Sequence, residues 1–254
     1  MIDNAFIYPV YKSIGKYFFD SEIFHYGADY RWGDEKSQNL DTKKYNYGYG
    51  LIHYALVKNM RPKRILCVGS MYGFIPYMLA KACMENNFGH VDFVDAAHDV
   101  NQVEYKHNHY FGQGFWKKTN PQQHFSYLLD SQFISTHVMT LEEFIKTSLH
   151  QYEYIYLDGD HSYDGLVRDI RLVWPFLLYG GVLGLHDIEF NFKKSLEQIQ
   201  GSFKRKVQYV TFGVVRIWKS FEKTTQTFPI NNHYSGLGLI HKKDKISASL
   251  PDFL

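Results

Sequence analysis

Residues 64–82 read RILCVGSMYGFIPYMLAKA. Arg64 to Val68 is a short apolar run closed by Gly69, the pattern of a buried strand. Ile75, Met78, Leu79, Ala82 and Cys83 then recur at three- and four-residue spacing. That spacing predicts an amphipathic helix with Pro76 accommodated in its first turn. Strand, glycine turn and helix in this order open a βαβ unit.

The pattern extends in both directions. Upstream, a helical pattern spans residues 48–59 and ends at Arg61-Pro62. Downstream, Val91–Val94 reads as a second strand ending at Asp95, and Ile134–Met139 as a third. Tyr154–Leu157 reads as a fourth strand closed by Asp158, and Val182–Leu185 as a fifth. Leu141–Ser148 reads as a short helix. Leu166, Ile170, Val173 and Trp174 mark a longer one that runs to about Leu178, where Gly180-Gly181 stops it. Residues 98–134 are polar, histidine-rich and aromatic, too long for an ordinary helix–strand connection, and a helix is expected near 120–130. Strands alternating with helices at this spacing imply a parallel sheet covered on both faces, in one α/β domain. Two later β-rich runs, Val207–Trp218 and Gly236–His241, are expected to complete the sheet as an antiparallel hairpin.

The 254 residues include 28 Lys+Arg and 26 Asp+Glu, and 45% are hydrophobic, the profile of a soluble globular protein. The balance argues against wholesale nucleic-acid binding, which needs a basic footprint. Residues 190–254 are nevertheless net +7 and residues 1–189 net −5. Such a basic segment is either a solvated face or a surface for an anionic ligand. Cys67 and Cys83 fall in an apolar run and a helical pattern, so no disulfide framework is expected and a reducing cytoplasm fits. The first residues lack the pattern of a secretory signal. No run of about 18 apolar residues is present to span a membrane.

Three groups of residues carry chemistry. Gly69-Ser70-Met71-Tyr72-Gly73 lies between a strand and a helix start, where glycine lets a ligand approach the backbone and unpaired N–H groups are offered. Met71 stands at the second glycine of G-x-G-x-x-G and no Lys-Ser/Thr pair follows, so neither a dinucleotide fingerprint nor a P-loop is present. A purely steric use of these glycines stays open. Asp95, 22 residues after Gly73, is placed either to accept hydrogen bonds from ribose hydroxyls or to cap the next segment. Finally, Asp158-Gly-Asp160-His161-Ser-Tyr163 follows the fourth strand and His186-Asp187 the fifth. Ligands of open parallel sheets bind beyond the carboxyl ends of the strands. These acids and histidines should therefore converge on one crevice, able to hold a divalent metal, shift a neighbour's pKa or supply a general base. Asp160 or Ser162 is also placed to cap the helix beginning near Tyr163.

Taken in order, RILCVGSMYGFIPYMLAKA, VDFVDAAHD, YIYLDGDHSYDGLVRDI and YGGVLGLHD resemble a class I S-adenosyl-L-methionine (SAM)-dependent methyltransferase. The resemblance is strongest to the subgroup with an IDGDHSY…GG…HD signature, methyltransferase family 24. Macrocin-type sugar O-methyltransferases and cephalosporin-hydroxylase-like proteins are similar at a greater distance. The likeness covers residues 45–190. It implies a Rossmann-like, doubly wound, mostly parallel seven-stranded sheet with helices on both faces and an antiparallel C-terminal hairpin. Residues 1–254 would form a single domain: an N-terminal lid or extension (1–45), a SAM-binding core (46–190), and a C-terminal helix and hairpin (191–254).

The resemblance also implies roles, position by position. Gly69, Ser70, Tyr72 and Gly73 would face the methionine part of SAM, Asp95 its ribose, and Met139-Thr140 its adenine, with Asp158 bordering the donor. In metal-dependent relatives the first acid of the DGD motif and the pair after the fifth strand hold Mg²⁺; those positions are Asp158, His186 and Asp187. Asp160 or His161 would be the general base, with Asp187 beside it in the catalytic set. Two positions depart from the family pattern. Cys67 stands where an acid usually anchors the SAM amino group. His186 replaces a carboxylate, and a His/Asp/Asp set suits Mn²⁺, Fe²⁺ or Zn²⁺ at least as well as Mg²⁺.

The implied activity is O-methylation of a small acceptor, with SAM as cofactor and a divalent metal, Mg²⁺ or Mn²⁺, as an assisting ion. Lys204-Arg205-Lys206 and the lysines at 242, 243 and 245 would attract an anionic or sugar-linked acceptor of surface-polysaccharide or secondary-metabolite biosynthesis. Tyr26, Tyr30, Trp32, Tyr45, Tyr47 and Tyr49 would cover it as a lid, or else pack in the core. A homodimer is expected; nucleic acid is not expected as a partner. Two other readings stay open: a metal-dependent hydroxylase-like enzyme on the same fold, and a non-catalytic SAM-fold partner subunit, which the loss of acid at Cys67 favours.

Overall fold

The computed structural model describes residues 40–41, 46–70, 73–98, 114–126, 129–148, 150–189, 203–230 and 236–243. In chain order its first half contains β1 (Leu40–Asp41), β2 (Asn46–Tyr47), α1 (Gly48–Met60), β3 (Arg64–Val68), α2 (Phe74–Asn86), β4 (His90–Asp95), α3 (Phe115–Lys118) and α4 (Pro121–Ser126). The second half contains β5 (Ile134–Val138), α5 (Leu141–Thr147), β6 (Tyr152–Leu157), α6 (Tyr163–Val173), β7 (Leu177–His186), α7 (Phe203–Thr224), β8 (Gln226–Ile230) and β9 (Leu237–His241). Most of the expected N-terminal lid, including Tyr26, Tyr30, Trp32 and Tyr45, lies outside the described residues.

Ile65, Leu66, Cys67 and Val68 of β3 are all buried, as a strand covered on both faces requires. β3 is central in a seven-stranded sheet of order β5-β4-β3-β6-β7-β9-β8. Strands β5, β4, β3, β6 and β7 run parallel, and β9 pairs antiparallel with both β7 and β8. The chain leaves β3 toward β4 and β5, then returns to β6 on the other side. The winding therefore reverses between β3 and β6, and a crevice opens beyond their carboxyl ends.

Side chains alternate across the sheet. Ile65, Cys67, Phe93, Tyr154 and Tyr156 pack on one face under α1 and α2. Leu66, Val68, Val94, Ile155, Leu157, Leu183 and Leu185 pack on the other under α5, α6 and α7. Helix α2 is not the simple amphipathic helix expected: Phe74–Ala80, Ala82 and Cys83 are all buried. Its outer side is covered by α1, whose Tyr49, Tyr54 and Val57 join the same cluster.

Two element assignments are corrected. Helix α6 ends at Val173, and Pro175 in the 3₁₀ turn Trp174–Phe176 terminates it. Gly180-Gly181 lie inside β7 and do not stop a helix. There the β6 partners jump from Tyr152↔Leu177 to Tyr154↔Val182 and Gly180 has φ 78°, a bulge geometry that glycine takes without strain. The second correction concerns Val207–Trp218, which is helix α7 and not a strand. Its β-branched run suggests β structure, but Val214, Ile217, Trp218 and Phe221 follow a helical period and are the buried residues. Tertiary packing on α6 outweighs local propensity. The hairpin strand that pairs with β9 is β8 instead.

Phe221 is 0% exposed, so Phe221→Ala is expected to lower the unfolding free energy in urea by about 3–5 kcal/mol. Exposed Lys223→Ala should change it by less than about 0.5 kcal/mol.

Candidate active site

The chain leaves β3 through Gly69, whose φ is 75°. A Cβ at Gly69 would lie 2.6 Å from the carbonyl carbon of Asp158 and 2.8 Å from the Cα of Gly159. Only glycine lets the ends of β3 and β6 come this close. Asp158 N donates to Val68 O at 2.8 Å and Gly69 N to Val94 O at 2.9 Å, so three strand ends are tied together. Ser70 is buried; its N–H donates to Asp95 Oδ2 (3.1 Å) and its Oγ accepts from Gly73 N (3.0 Å). Asp95 Oδ1 accepts from Ala97 N at 2.7 Å. Burial pushes the Asp95 carboxyl up to about 6, against the pull of these two backbone donors. Met71 and Tyr72 lie outside the described residues.

A second cluster fills the crevice beside this turn. Asp158 Oδ1 is 3.0 Å from His161 Nε2 and 2.8 Å from His186 Nδ1. His161 Nδ1 is 3.0 Å from Asp187 Oδ2, and His186 Nδ1 is 3.5 Å from Asp187 Oδ1. His161 thus bridges two carboxylates. Burial works against charging either histidine, but the carboxylates outweigh it: His161 is raised to about 10 and His186 to about 9. Burial likewise disfavours ionised Asp158, yet His186 and His161 hold it well below the usual carboxylate range. Asp187 is lowered against its burial by the same two histidines. It also has φ 62°, a left-handed conformation uncommon for a residue with a side chain and concentrated at functional sites.

The other expected residues have different partners. Asp160 Oδ1 accepts from Ser162 N (2.9 Å) and Oδ2 lies 3.6 Å from Arg168, which also pairs with Asp169 at 3.1 Å. Its carboxylate occupies the space over Gly165 that a Cβ would fill, at the start of α6 and apart from the histidines. Ser162 caps that helix by accepting from Gly165 N at 3.1 Å. Thr140 and Glu143 form a capping box on α5, and Met139 packs against the core of that face. Cys67 is buried and its thiol is pushed well up by burial, which disfavours the nucleophilic thiolate at neutral pH.

Several residues at the site carry no motif in the chain. His53 on α1 is fully buried; its Nδ1 is 2.6 Å from Tyr154 Oη and its ring sits edge-on to Tyr156 at 4.4 Å. Burial, reinforced by His186, lowers its pKa to about 3, so it is neutral. Tyr156 Oη donates to Asp158 Oδ2 at 3.5 Å. Tyr49 packs edge-on to His186 at 6.0 Å and its hydroxyl accepts from Gly236 N at 2.8 Å, so it belongs to the core. The one signal in the sequence is a histidine in the Tyr49–His53–Val57 stripe, at helical spacing on an apolar face.

The basic C-terminal part is divided by the fold. Lys242 is buried, and its Nζ donates to Trp174 O (2.8 Å) and Leu177 O (2.7 Å). His186 pairs with Leu237 and Val182 with His241, so Lys242 lies at the end of the sheet away from His186. It cannot recruit an acceptor as expected. Helix α7 passes the 161–163 backbone at Gly213, where a Cβ would meet His161 O at 2.7 Å, and reaches Trp174 at Phe221. Its first residues, including positions 204–206, therefore continue past the crevice end of the sheet.

Asp158, His161 and His186 each bring one donor atom within 4.8 Å of the others. Two imidazoles and a carboxylate fit a divalent ion of the Mn, Fe or Zn type better than Mg²⁺. Asp187 stands one step further out, on the second nitrogen of His161, where a partner that orients a ligating histidine belongs.

Residues 66–188 match a family model described as a methyltransferase domain, methyltransferase family 24. No curated protein matches the chain in sequence. Similar solved structures include the methyltransferase PaMTH1 of Podospora anserina bound to S-adenosylhomocysteine (SAH), with TM-score 0.56 and 12% identity over 78% of this chain and 80% of that one. The O-methyltransferase TomG of Streptomyces achromogenes, involved in tomaymycin synthesis and solved with SAM, has TM-score 0.53 and 11% identity over 83% and 86%. An O-methyltransferase of Bacillus cereus in complex with SAH has TM-score 0.51 and 10% identity over 87% and 98%. At these identities the likeness establishes the shared fold. Sheet order, glycine turn and family match together give the chain the class I methyltransferase fold. Residues 66–188 thus match the methyltransferase domain of family 24, on the fold of the SAM- and SAH-bound methyltransferases. Among the described residues no helix is long and apolar enough to cross a membrane.

The histidine protons make a testable contribution to stability. It is fully present below the unfolded value of 6.5 and is lost as pH rises through about 9 and about 10. In chelator-treated protein the thermal midpoint should therefore fall between pH 8 and 10.5, roughly spanning those values. A His161→Gln/His186→Gln variant should show a flatter profile by calorimetry; equal slopes would contradict the ion-paired geometry.

Proposed function

We propose that the chain transfers the methyl group of SAM to a hydroxyl oxygen of a small acceptor. The observation that carries this reading is the contact of Gly69 with Asp158, which brings the donor turn and the Asp/His cluster into one crevice. In the reaction the new C–O bond forms as the S–CH₃ bond breaks. The sulfonium becomes the neutral thioether of SAH, and the acceptor hydroxyl loses its proton. The enzyme's first task is alignment of donor and acceptor. The glycine turn and Asp95 would hold the methionine and ribose parts of SAM.

The second task is the proton. His161 lies between two carboxylates that favour its protonated form, which disfavours it as the resting-state proton acceptor. Asp158, His161 and His186 would hold a divalent ion in place of the imidazole protons, and such an ion would orient the acceptor hydroxyl and lower its pKa. Asp187 is then the carboxylate left to receive the proton, with His161 fixing its orientation. Asp160, tied to Ser162 N and Arg168, serves the turn and not the base. Of the two residues considered for that role, His161 is the one within the cluster.

The start of α7, with Lys204-Arg205-Lys206 beyond the crevice end of the sheet, supports an anionic acceptor such as a phosphorylated or nucleotide-linked sugar. One observation favours a second reading: two histidines and one carboxylate are also the ligand set of non-haem iron oxygenases. Oxygen uptake by the Fe²⁺-loaded protein without SAM would support that reading, and SAH formation with an acceptor panel would support methyl transfer.

Asp187→Ala should reduce turnover by about 10²- to 10⁴-fold while the calorimetric Kd for SAM stays within about threefold. Wild-type activity in this variant would remove Asp187 from the mechanism. With an anionic acceptor, KM should rise steeply between low and physiological salt, because charge steering is screened over about 10 Å at 0.1 M. A KM independent of ionic strength would argue for a neutral one.

A further inference from the structure

Residues 98–134 exceed the length of an ordinary connection, and the described part of this segment packs back onto the donor turn. Gly114 N donates to His98 O at 2.9 Å immediately before α3. Trp116 follows, buried at 4% exposure, and its indole Nε1 donates to Ser70 O at 2.9 Å. The ring is held by Phe93 edge-on at 5.4 Å, His124 edge-on at 5.2 Å and Phe125 stacked at 5.8 Å. A Cβ at Gly73 would meet Phe125 at 2.8 Å and Trp116 at 3.1 Å, so the aromatic pair and the turn are fitted to each other.

These contacts complete the hold on Ser70. Its N–H is bound by Asp95, its Oγ by Gly73 N and its carbonyl by Trp116. The first two partners belong to the βαβ unit itself, whereas the third is supplied from a different part of the chain. We infer that Trp116 is a positioning residue of the methyl-donor site: by holding the Ser70 carbonyl it fixes Ser70 in place, and with it the Ser70 N–H on Asp95 and the Ser70 Oγ on Gly73 N. The segment 114–126 then acts as a clamp on the donor turn. This rests on the reading of that turn as the SAM site.

The test is Trp116→Phe, which keeps an aromatic ring among Phe93 and Phe125 and removes the N–H donor. The Kd for SAM and SAH by calorimetry should rise about tenfold, as loss of one buried hydrogen bond implies. The value of kcat at saturating SAM should stay within about twofold. Phe125→Leu, which touches the turn only by packing, should lower the thermal midpoint with a smaller effect on Kd. A Trp116→Phe variant that binds SAM as the unsubstituted chain does overturns the inference. If the unsubstituted chain itself binds neither SAM nor SAH at millimolar concentration, the reading of the donor site fails instead. A measurement without the variant stands beside these. The Trp116 indole N–H, assigned by substituting the other three of the four tryptophans, should shift and gain exchange protection on addition of SAH. A resonance indifferent to SAH that the chain demonstrably binds also overturns the inference.

Discussion

The approach of Gly69 to the Asp158 backbone is the constraint on which the rest of the site depends. β3 and β6 are neighbours in the sheet, but a side chain at the first residue after β3 would drive their ends apart. With glycine there, the turn can take φ 75° and run against Asp158-Gly159. The glycine turn, Asp95 and the Asp/His cluster consequently share one crevice at the point where the sheet reverses its winding. Fold and chemistry meet at a position that has no side chain.

The cluster beside it is an electrostatic arrangement that would be costly in any other form. Four ionisable groups are largely withdrawn from water at Asp158, His161, His186 and Asp187, and an isolated charge there would be disfavoured. Alternating carboxylate and imidazole lets each group find an opposite partner at hydrogen-bond distance. On the α1 side, Tyr156 donates to Asp158 Oδ2 and packs against neutral His53, which in turn meets Tyr154. The left-handed backbone at Asp187 is a local cost that accompanies its turn toward His161.

Much of this is legible along the chain. The five parallel strands are readable because short apolar runs closed by Gly or Asp, spaced by helical patterns, suit strands buried on both faces. The acids and histidines at the strand ends follow from the sheet. Helix α7 is not readable, because Val207–Trp218 is rich in β-branched residues and its helical period shows only once α6 supplies a face to pack on. The bulge at Gly180 reads as a helix stop along the chain, since both uses exploit the same left-handed freedom. The motif offers both Asp158 and Asp160 to the crevice, and only the tertiary contacts of Asp160 with Arg168 and over Gly165 set it apart from the histidines.

What the chain by itself determined is the order of the five parallel strands and the helices between them, the polar residues at the strand ends, and the resemblance to a methyltransferase family. Those properties are local, set by periodicity, turn residues and short motifs. Tertiary structure alone decided which nitrogen of His161 faces which carboxylate, that Trp116 reaches back to Ser70, and that the basic C-terminal part divides between two ends of the sheet. These depend on contacts such as His161 with Asp187, Trp116 with Ser70 (46 positions apart) and Lys242 with Trp174 (68 apart), whose partners no local pattern can select.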